Sequence, residues 1–438
     1  MKSYFSICTK KFFWLKEVCQ HSGINGLWRE VMRVEGLSRN DLLALANRKL
    51  QIVLRHAAET VPYYQRYFSQ KGCSIEKLQI EDFPLVEKKD IRGREDEFIS
   101  SQWKGRKIGW TRTSGSTGEP FRFGRTEYEY SYAALWRGLW RFGICPGCKR
   151  VLVKGVDDTT HVPLVTRIRR KVYGWVNRCI VVDAHFLARS EANIVAEIKR
   201  IIAYKPHYFH GYVSSIYLLA QYAERHDIDL AALKVKAIVT ESEKCYAFQR
   251  ELMERVFKAP VVENYGCVEF GMIAQPAKDG KLCVNEDHVY VETTDEGEAV
   301  YTNLDEFGFP LIRFKNGDMI KLGVVHERLP YRTIEELDGR KTEMIKLPQG
   351  GALQGFIVMH PLYQHGSYLK AYQVYQPDLT HLLIRMSVWR DMPDVIKRQI
   401  KNEMQTLVGP QIEISLEFVE KIPLSKRGKR LFICSDVK

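Results

Sequence analysis

The 438-residue sequence lacks the features of several common protein classes. It has no apolar run long enough to span a bilayer. Residues 1–18 mix lysine with aromatic residues and have neither the continuous apolar stretch nor the cleavage site of a signal peptide. We therefore predict a cytoplasmic globular protein. The basic and aromatic N-terminus leaves open a peripheral contact with an anionic membrane surface, and the alternative is an ordinary helix packed on the protein body.

The sequence also lacks the cysteine spacing of a structural zinc site and any long segment densely populated with lysine and arginine. The ten cysteines are scattered, and Cys145 and Cys148 form the only close pair, without the second pair that a structural zinc site requires. Lysine and arginine number 66 against 53 aspartates and glutamates, which gives a net charge of +13. The excess favours anionic partners such as nucleotides, coenzyme A or sugar nucleotides. No segment interleaves dense basic residues with aromatics, so nucleic-acid binding is not favoured.

The order of the predicted elements favours an α/β fold. Strands alternate with helices between residues 130 and 263, which is typical of a largely parallel sheet. The segment 285–335 instead predicts an antiparallel meander, with strands at Val289–Glu292, Ala299–Thr302 and Leu311–Phe314. We interpret the residues around Gly339 as a hinge. The prediction is a large N-terminal domain, 1–338, with parallel α/β and antiparallel β parts, and a small mobile α+β domain, 339–438.

The segment 111–120 is the most distinctive local pattern. It is rich in serine, threonine and glycine and ends at Glu119-Pro120. Glycine lets backbone N–H groups converge on an anion, and the hydroxyl groups add further donors, so the loop suits a phosphate. It is not a Walker P-loop, because no Gly-Lys-Ser/Thr follows at the required spacing. Taken alone, the segment is equally well explained as a polar surface turn.

Four further polar segments follow this loop in the chain. The five in order are 111–120, 264–269, 315–318, 339–346 and 427–430. Together they resemble the motifs of the adenylate-forming superfamily of acyl-CoA synthetases and peptide-synthetase adenylation domains. The sequence looks most like the phenylacetate–CoA ligase branch, which includes relatives encoded with capsular-polysaccharide genes. The resemblance spans residues 45–433, with His56–Tyr64 and Pro84–Arg92 as features of that branch.

The resemblance implies roles for particular residues. The loop would hold the ATP phosphates, Tyr265 would stack on adenine, and Asp318 would accept hydrogen bonds from the ribose. Glu269 would bind Mg²⁺, Arg340 would assist at the ribose or phosphate, and Lys429 would bridge the carboxylate and the α-phosphate. The implied ATP- and AMP-binding residues are Thr113, Ser114, Gly115, Ser116, Thr117, Gly118, Glu241, Asn264, Tyr265, Gly266, Asp318 and Arg340, and the implied catalytic residues are Lys429, Glu269 and Arg340.

The carboxylate pocket and three departures from the family pattern complete the expectations. Candidate substrate-binding residues are Trp136, Trp140, Gly211, Tyr212, Ser214 and Ser215, although the two tryptophans also suit simple core packing. Val268 stands where the family usually has a hydroxyl residue, and Phe121 follows Pro120, where Arg122 could substitute electrostatically. Only Cys283 and His288 remain of a zinc site that some branch members carry, so we predict no zinc.

The implied function is an ATP-dependent, AMP-forming carboxylate ligase with ATP and Mg²⁺ as cofactors. It would adenylate a carboxylic acid, release pyrophosphate and pass the acyl group to an acceptor. Coenzyme A and an amine remain alternatives for that acceptor, and amide formation on a uronic-acid sugar or sugar nucleotide in surface polysaccharide biosynthesis stays open. The alternative from a different functional class is a non-catalytic scaffold that binds a nucleotide. The acid and the oligomeric state are not specified by the sequence.

Overall fold

The structure is a computed structural model, and it describes residues 24–72, 74–75, 78–113, 121–127, 129–155, 168, 172, 174–340, 344–425 and 428–437. The described chain forms two compact units, each built from two separate segments. The first unit joins 1–147 to 262–338, and the second joins 148–261 to 339–438. The predicted division at 338/339 coincides with one boundary between the units. The pairing of 148–261 with the C-terminal segment was not predicted from the sequence.

Helices of the first unit begin and end where the sequence dictates. Ser38 caps the long helix Arg39–Thr60 by accepting a hydrogen bond from the Asp41 amide, and Pro62 at the start of helix Pro62–Lys71 ends it. Gly72 ends helix Pro62–Lys71 with a positive φ. The helices of this unit are Ile24–Val34, Arg39–Thr60, Pro62–Lys71, Lys88–Ile91 and Glu129–Arg141, with 3₁₀ turns at Ile80–Asp82, Glu95–Phe98 and Ser101–Trp103.

The strands of the first unit form a hairpin and a seven-stranded sheet. The hairpin pairs β1 (Gly109–Thr113) with β2 (Phe121–Arg125) in antiparallel fashion. The sheet has the order β11-β12-β13-β14-β10-β9-β8. Its strands are β8 (Tyr265–Cys267), β9 (Gly271–Pro276), β10 (Leu282–Val284), β11 (Val289–Thr293), β12 (Glu298–Asn303), β13 (Phe314–Val325) and β14 (Arg332–Arg340).

The predicted antiparallel meander is present as β11, β12 and β13, but one of its strands was placed wrongly. We predicted a strand at Leu311–Phe314, whereas the observed strand begins at Phe314. Arg313 has a φ of +50°, which no extended strand residue adopts. Its amide donates to the Thr302 hydroxyl at 2.9 Å, and its guanidinium donates to Glu292 at 3.1 Å. These contacts hold the turn that precedes the strand.

The second unit contains the predicted parallel sheet. Its order is β4-β3-β5-β6-β7, and β3 pairs in parallel with both β4 and β5. The strands are β3 (Arg150–Lys154), β4 (Cys179–Asp183), β5 (Tyr208–Gly211), β6 (Ile238–Thr240) and β7 (Val261–Glu263), and the unit boundary falls within β7. The accompanying helices are Ala184–Arg189, Glu191–Tyr204, Val213–Arg225 and Ala247–Phe257, with a 3₁₀ turn at Ala231–Leu233.

The C-terminal segment adds an α+β layer to the second unit. A hairpin of β15 (Met344–Lys346) and β16 (Ala352–Gln354) precedes a four-stranded sheet of order β19-β18-β17-β20. That sheet consists of β17 (Leu369–Asp378), β18 (His381–Val388), β19 (Glu413–Phe418) and β20 (Ile433–Ser435), with helices Gly355–Tyr363 and Asp394–Val408. Tyr246 and Phe248 pack against its apolar core. The predicted fold class, mixed α/β with a parallel sheet, an antiparallel part and a C-terminal α+β segment, is confirmed.

No helix in the described part of the chain is both long and apolar enough to cross a membrane. The basic and aromatic residues 1–18, for which a membrane-surface contact was left open, lie outside the described residues.

Candidate active site

Two predicted nucleotide-binding residues meet in the first unit. The Tyr265 hydroxyl donates a hydrogen bond to Asp318 Oδ2 at 2.7 Å and also contacts the Tyr301 hydroxyl. Asn316 donates from its side-chain amide to the same Asp318 oxygen at 2.7 Å. Burial, Tyr301 and Asp318 together raise the pKa of Tyr265 well above its usual value, so the phenol stays protonated as a donor. The carboxylate predicted to bind the ribose is therefore held in place by two donors.

The residue before Tyr265, Asn264, has a buried side-chain amide without hydrogen-bond partners among the described residues. Asn264 is only 5% exposed, and neither its amide oxygen nor its amide nitrogen has a hydrogen-bond partner among the described residues. Leaving a buried polar group without a partner costs about 1–3 kcal/mol, so we expect an ordered water or a ligand to satisfy this amide. Gly266, on the other side of Tyr265, is required by packing, because a Cβ there would lie 2.2 Å from the Gly271 carbonyl oxygen.

Glu269, the predicted Mg²⁺ ligand, lies near Asp318 and Cys267. Burial first, and then the charges of Glu269 and Asp318, raise the pKa of the Cys267 thiol, so both carboxylates lie close to this sulfur. The Glu269 side chain is 4% exposed, and the Lys88 ammonium lies 4.0 Å from its Oε1. No group of three metal-binding side chains occurs in the described ranges. Magnesium often takes one or two carboxylates plus phosphate oxygens, and Glu269 fits that mode.

The second unit holds Lys429 in a tight turn. The Lys429 carbonyl accepts a hydrogen bond from the Ser425 amide at 2.9 Å, and its own amide donates to the Ser425 hydroxyl at 3.1 Å. Gly428 has a φ of +78°, and a Cβ there would lie 2.5 Å from the Gly155 Cα, just beyond the end of β3. The turn thus brings Lys429 to the carboxyl edge of the parallel sheet, where ligands bind in α/β folds.

Lys429 meets two predicted site residues at this edge. Its ammonium lies 5.9 Å from the centroid of the Tyr212 ring, within cation–π range. Glu241 follows β6, and its carboxylate contacts His210 Nε2 at 2.9 Å. Burial acts to raise the pKa of Glu241, but His210, Lys429 and Arg150 more than offset it and lower this pKa to about 2. At neutral pH the edge therefore carries an ionised carboxylate near Lys429 and Arg150.

The remaining predicted substrate residues of the second unit surround the same strand ends. Gly211 ends β5, and its carbonyl accepts a hydrogen bond from the Glu241 amide at 3.1 Å. Ser214 and Ser215 are buried in the first turn of helix Val213–Arg225. The Ser214 amide and hydroxyl both donate to Glu243, at 2.7 and 3.0 Å. The amide and the hydroxyl of Ser214 are therefore both used to bind the Glu243 carboxylate.

The two tryptophans proposed for the carboxylate pocket lie on helix Glu129–Arg141 in the first unit. Trp136 is 4% exposed and makes an edge contact with Tyr132. Trp140 packs edge-on against Trp28 of helix Ile24–Val34 at a centroid distance of 5.9 Å. These contacts agree with the packing alternative for Trp140, and a role in substrate binding stays a prediction for both residues.

The departures from the family pattern have local explanations. Phe121 is fully buried and stacks on Phe123 and Phe314, so the residue after Pro120 is part of the core of the first unit. Arg122 lies over the Trp110 ring at 3.9 Å. Val268 is 37% exposed, and its carbonyl accepts a hydrogen bond from Arg125 at 3.1 Å. Val268, where a family hydroxyl is missing, therefore contacts Arg125 through its backbone carbonyl.

Part of the predicted site lies outside the described residues. This holds for the loop residues Ser114, Gly115, Ser116, Thr117 and Gly118. Thr113 ends β1 and Arg340 ends β14, but their side chains are likewise outside the described set. The backbone at 338–340, interpreted as a hinge, continues β14.

Sequence reasoning missed several partners of the predicted residues. His210, Tyr301 and Lys88 were not singled out individually, although Lys88 lies in the branch-specific segment Pro84–Arg92. His210 comes two residues before Tyr212, a candidate substrate-binding residue, and this position was its only available signal. Of the two residues kept from a zinc site, His288 engages the Asp305 carboxylate at 2.7 Å and the Phe270 carbonyl at 2.9 Å.

Comparisons with known proteins give one consistent set of relatives. The family model for the CapK C-terminal domain matches residues 346–436. Protein CapK of Staphylococcus aureus is 24% identical over 422 residues, covering 91% of this chain and 90% of CapK. The phenylacetate-coenzyme A ligase of Aromatoleum evansii is 25% identical and covers 71% of this chain and 73% of that enzyme. The chain is thus similar in sequence to CapK and to the phenylacetate–CoA ligases, as the resemblance drawn from its motifs predicted.

A solved structure supports the same fold. The crystal structure of 2-hydroxyisobutyryl-CoA ligase in the postadenylation state, in complex with an acyl-AMP, aligns with a TM-score of 0.71 and 18% identity, covering 92% of this chain and 91% of that one. The fold is therefore the one that the similarity to CapK and the phenylacetate–CoA ligases implies. The predicted recognition and the predicted enzyme class, an AMP-forming ligase, are confirmed.

Proposed function

We propose that the protein activates a carboxylic acid as its adenylate and then transfers the acyl group to an acceptor. The carboxylate oxygen attacks the α-phosphorus of ATP, the bond to the β-phosphate oxygen breaks, and pyrophosphate leaves. The acceptor then attacks the acyl carbon and AMP leaves. Attacker and target in the first step are both anionic, so positioning and charge stabilisation supply most of the catalysis.

The observation that carries the proposal is the state of Asn264 beside the Tyr265–Asp318 pair. A buried amide with no partner on either atom adjoins a carboxylate held by two donors. Adenine presents both a donor and an acceptor at its edge, which matches a side-chain amide. The Asp318 carboxylate suits the ribose hydroxyls. These residues are the proposed nucleoside site, and Glu269 is the proposed carboxylate for Mg²⁺.

The remaining roles are proposed from chemistry and position. Lys429 would neutralise charge between the carboxylate and the α-phosphate, while Thr113 to Gly118 and Arg340 would bind phosphate or ribose. An electrostatic contact of this kind is worth about 3 kcal/mol, or ~10²-fold in rate. We also propose that residues 339–438 act as a domain that swings about 340–343, so that Lys429 serves adenylation only.

The acceptor is the finer part of the proposal. The relatives named as phenylacetate-coenzyme A ligases favour the thiol of coenzyme A. The resemblance to relatives encoded with capsular-polysaccharide genes keeps an amine as the alternative, with an amide formed on a uronic-acid sugar or sugar nucleotide during surface polysaccharide synthesis. The net charge of +13 suits either anionic acceptor. A thiol and an amine are both nucleophiles for an acyl-adenylate, so one adenylation site serves either product.

The first experiment is ATP–pyrophosphate exchange with a panel of aryl, short hydroxy and uronic acids. We expect exchange with at least one acid class, and Asn264→Ala should lose about tenfold or more in nucleotide affinity. The exposed Asn402→Ala serves as the matched control and should behave as the wild type. Tight ATP binding without exchange for any acid would favour the scaffold reading, and no ATP binding at all would reject both.

The second experiment identifies the acceptor. The active acid and ATP are incubated with hydroxylamine, coenzyme A or amino acids in separate reactions, and the products are identified by mass spectrometry. A thioester that forms faster than the hydroxamate supports coenzyme A, whereas an amide with a biological amine supports the amide-forming alternative. Hydroxamate alone would show that the physiological acceptor is absent from the panel.

A further inference from the structure

The second unit exposes three large apolar side chains that lie close together in the sequence. Ile168, Val172 and Trp175 are 54%, 54% and 70% exposed. All three residues are helical, and their spacing of four and three residues is that of neighbours on one helix face. Folded proteins usually expose such residues singly, and a larger exposed group commonly marks an interaction site. We call these three residues the apolar patch.

The chain that carries the apolar patch is fixed to the parallel sheet at its end. The Arg178 amide donates to the Trp175 carbonyl at 3.1 Å, and Arg178 has a φ of +50°. The Arg178 carbonyl accepts a hydrogen bond from the Arg150 amide, at the start of β3, at 3.0 Å. A Cβ on Gly174 would lie 2.8 Å from the Cys179 carbonyl oxygen, so glycine is required for this close approach. Gly174 therefore lies against the start of β4, whereas Trp175 faces solvent.

The sequence around the apolar patch carries charge of one sign. Residues 159–182 contain no aspartate or glutamate. They contain five basic residues, Arg167, Arg169, Arg170, Lys171 and Arg178. Tyr173 and Trp175 lie among them, so the expectation that no segment interleaves dense basic residues with aromatics is wrong for this segment. Exposed aliphatic and tryptophan side chains within a basic helical segment are typical of proteins that bind at a membrane surface.

We propose that the apolar patch docks this protein on an anionic lipid bilayer. Ile168, Val172 and Trp175 would enter the boundary between headgroups and acyl chains, and the five cations would attract the lipid phosphates. Such a bilayer has an apolar interior and a negative surface. These are the two properties that the segment complements.

Charge and exposure disfavour the other occupants of the apolar patch. A second copy of the chain would bring two sets of five cations together. Residues 1–23 carry four lysines and one glutamate, so they too would meet the segment with charge of the same sign. A nucleic acid would neutralise the cations but leave the apolar side chains in water.

The direct test is co-sedimentation of the full chain with lipid vesicles. We expect binding to mixed phosphatidylcholine and phosphatidylserine vesicles that weakens as salt is added, and little binding to phosphatidylcholine alone. The combined variant Ile168→Ser, Val172→Ser and Trp175→Ser, called the serine variant, should bind at least about tenfold more weakly. The control Val324→Ser with Val395→Ser removes apolar side chains that are 81% and 52% exposed elsewhere, and it should bind as the wild type does.

Two further variants separate charge from insertion. One cation near an anionic surface is worth roughly fivefold in affinity, so Arg169→Gln, Arg170→Gln and Lys171→Gln together should weaken binding about 10²-fold and reduce its salt dependence. Vesicles with brominated acyl chains should quench the tryptophan emission of the wild type more than that of Trp175→Phe. Equal quenching of the two proteins would place Trp175 outside the bilayer and overturn the proposal.

Other results would assign the apolar patch to a different occupant. The proposal is rejected if the wild type does not bind mixed vesicles, or if the serine variant binds them equally well, which would point to another surface such as residues 1–23. A wild-type dimer that the serine variant converts to monomers would show self-association instead. Binding to a DNA duplex without binding to vesicles would show a nucleic-acid site. Vesicle binding needs neither ATP nor an acid, and the serine variant should keep its pyrophosphate exchange, so this proposal and the ligase activity can fail separately.

Discussion

Two ion pairs in this protein have the same nitrogen–oxygen distance and opposite surroundings. Arg137 Nη1 lies 2.8 Å from Asp287 Oδ2, and both side chains are 0% exposed. Arg255 Nη2 also lies 2.8 Å from Glu224 Oε1, with side chains 57% and 46% exposed. Removing one partner of a buried pair leaves an uncompensated charge, whereas an exposed pair contributes little. Burial alone should therefore separate the effects of the two matched substitutions.

Arg137→Met should lower the free energy of unfolding by about 3–5 kcal/mol. The Asp287 carboxylate would then keep only the Tyr130 hydroxyl, at 2.6 Å, from its present side-chain donors among the described residues. Arg255→Met should cost less than about 1 kcal/mol. Urea and thermal unfolding followed by tryptophan fluorescence measure both values. At about 2–4 °C per kcal/mol, the melting temperature of Arg137→Met should fall by about 10 °C.

A double variant and the pH dependence test the cause. Arg137→Met combined with Asp287→Asn should cost less than the sum of the single changes, because no unpaired charge remains. Burial acts to raise the pKa of Asp287, but Arg137 lowers it below the usual range. The resulting stabilisation is present above the unfolded carboxyl pKa of about 4 and disappears as pH falls below it. Equal losses from both arginine substitutions, or strict additivity in the double variant, would refute the reasoning.

Three predictions concern the proposed reaction. Lys429→Ala should reduce pyrophosphate exchange about 10²-fold while sparing acyl transfer from a supplied acyl-adenylate, and Lys401→Ala should change neither; equal loss of both half-reactions would contradict the swing. Tyr265→Phe keeps the ring but removes the donor to Asp318, so ATP affinity should fall about tenfold, and less than in Tyr265→Ala. Because the pKa of Glu241 is lowered to about 2, Glu241→Gln should slow exchange about tenfold without moving either limb of a pH profile from 5 to 9.

Local sequence signals predicted most elements of the fold. The alternation of strands and helices between residues 130 and 263 predicted a parallel sheet, which is observed as β3 to β7. The strand predicted at Leu311 failed because its conformation depends on Thr302 and Glu292, which are distant in sequence. Periodicity carries no information about a positive φ imposed by such contacts.

The candidate site could be predicted only in part, because many contacts also join residues that are distant in sequence. Tyr265 and Asp318 were predicted from their motifs, and the structure joins them directly. The buried Arg137–Asp287 pair spans 150 positions, and neither residue lies in a recognisable motif. The partner of Gln221 is likewise remote: its amide donates to the Leu369 carbonyl at 3.1 Å. Contacts of this kind are decided by how layers pack, which a single sequence does not encode locally.

The second unit is built from two separate segments of the chain, 148–261 and 339–438, and this has a consequence for protein synthesis. Gln221 and the Leu369 carbonyl that covers it are 148 residues apart. At roughly 5–20 residues per second, a ribosome needs about 7–30 s to produce the intervening chain. During that interval helix Val213–Arg225 has emerged, but the strand that packs on it has not been translated. Nascent chains of this protein should therefore be targets for ribosome-associated chaperones within this window of elongation.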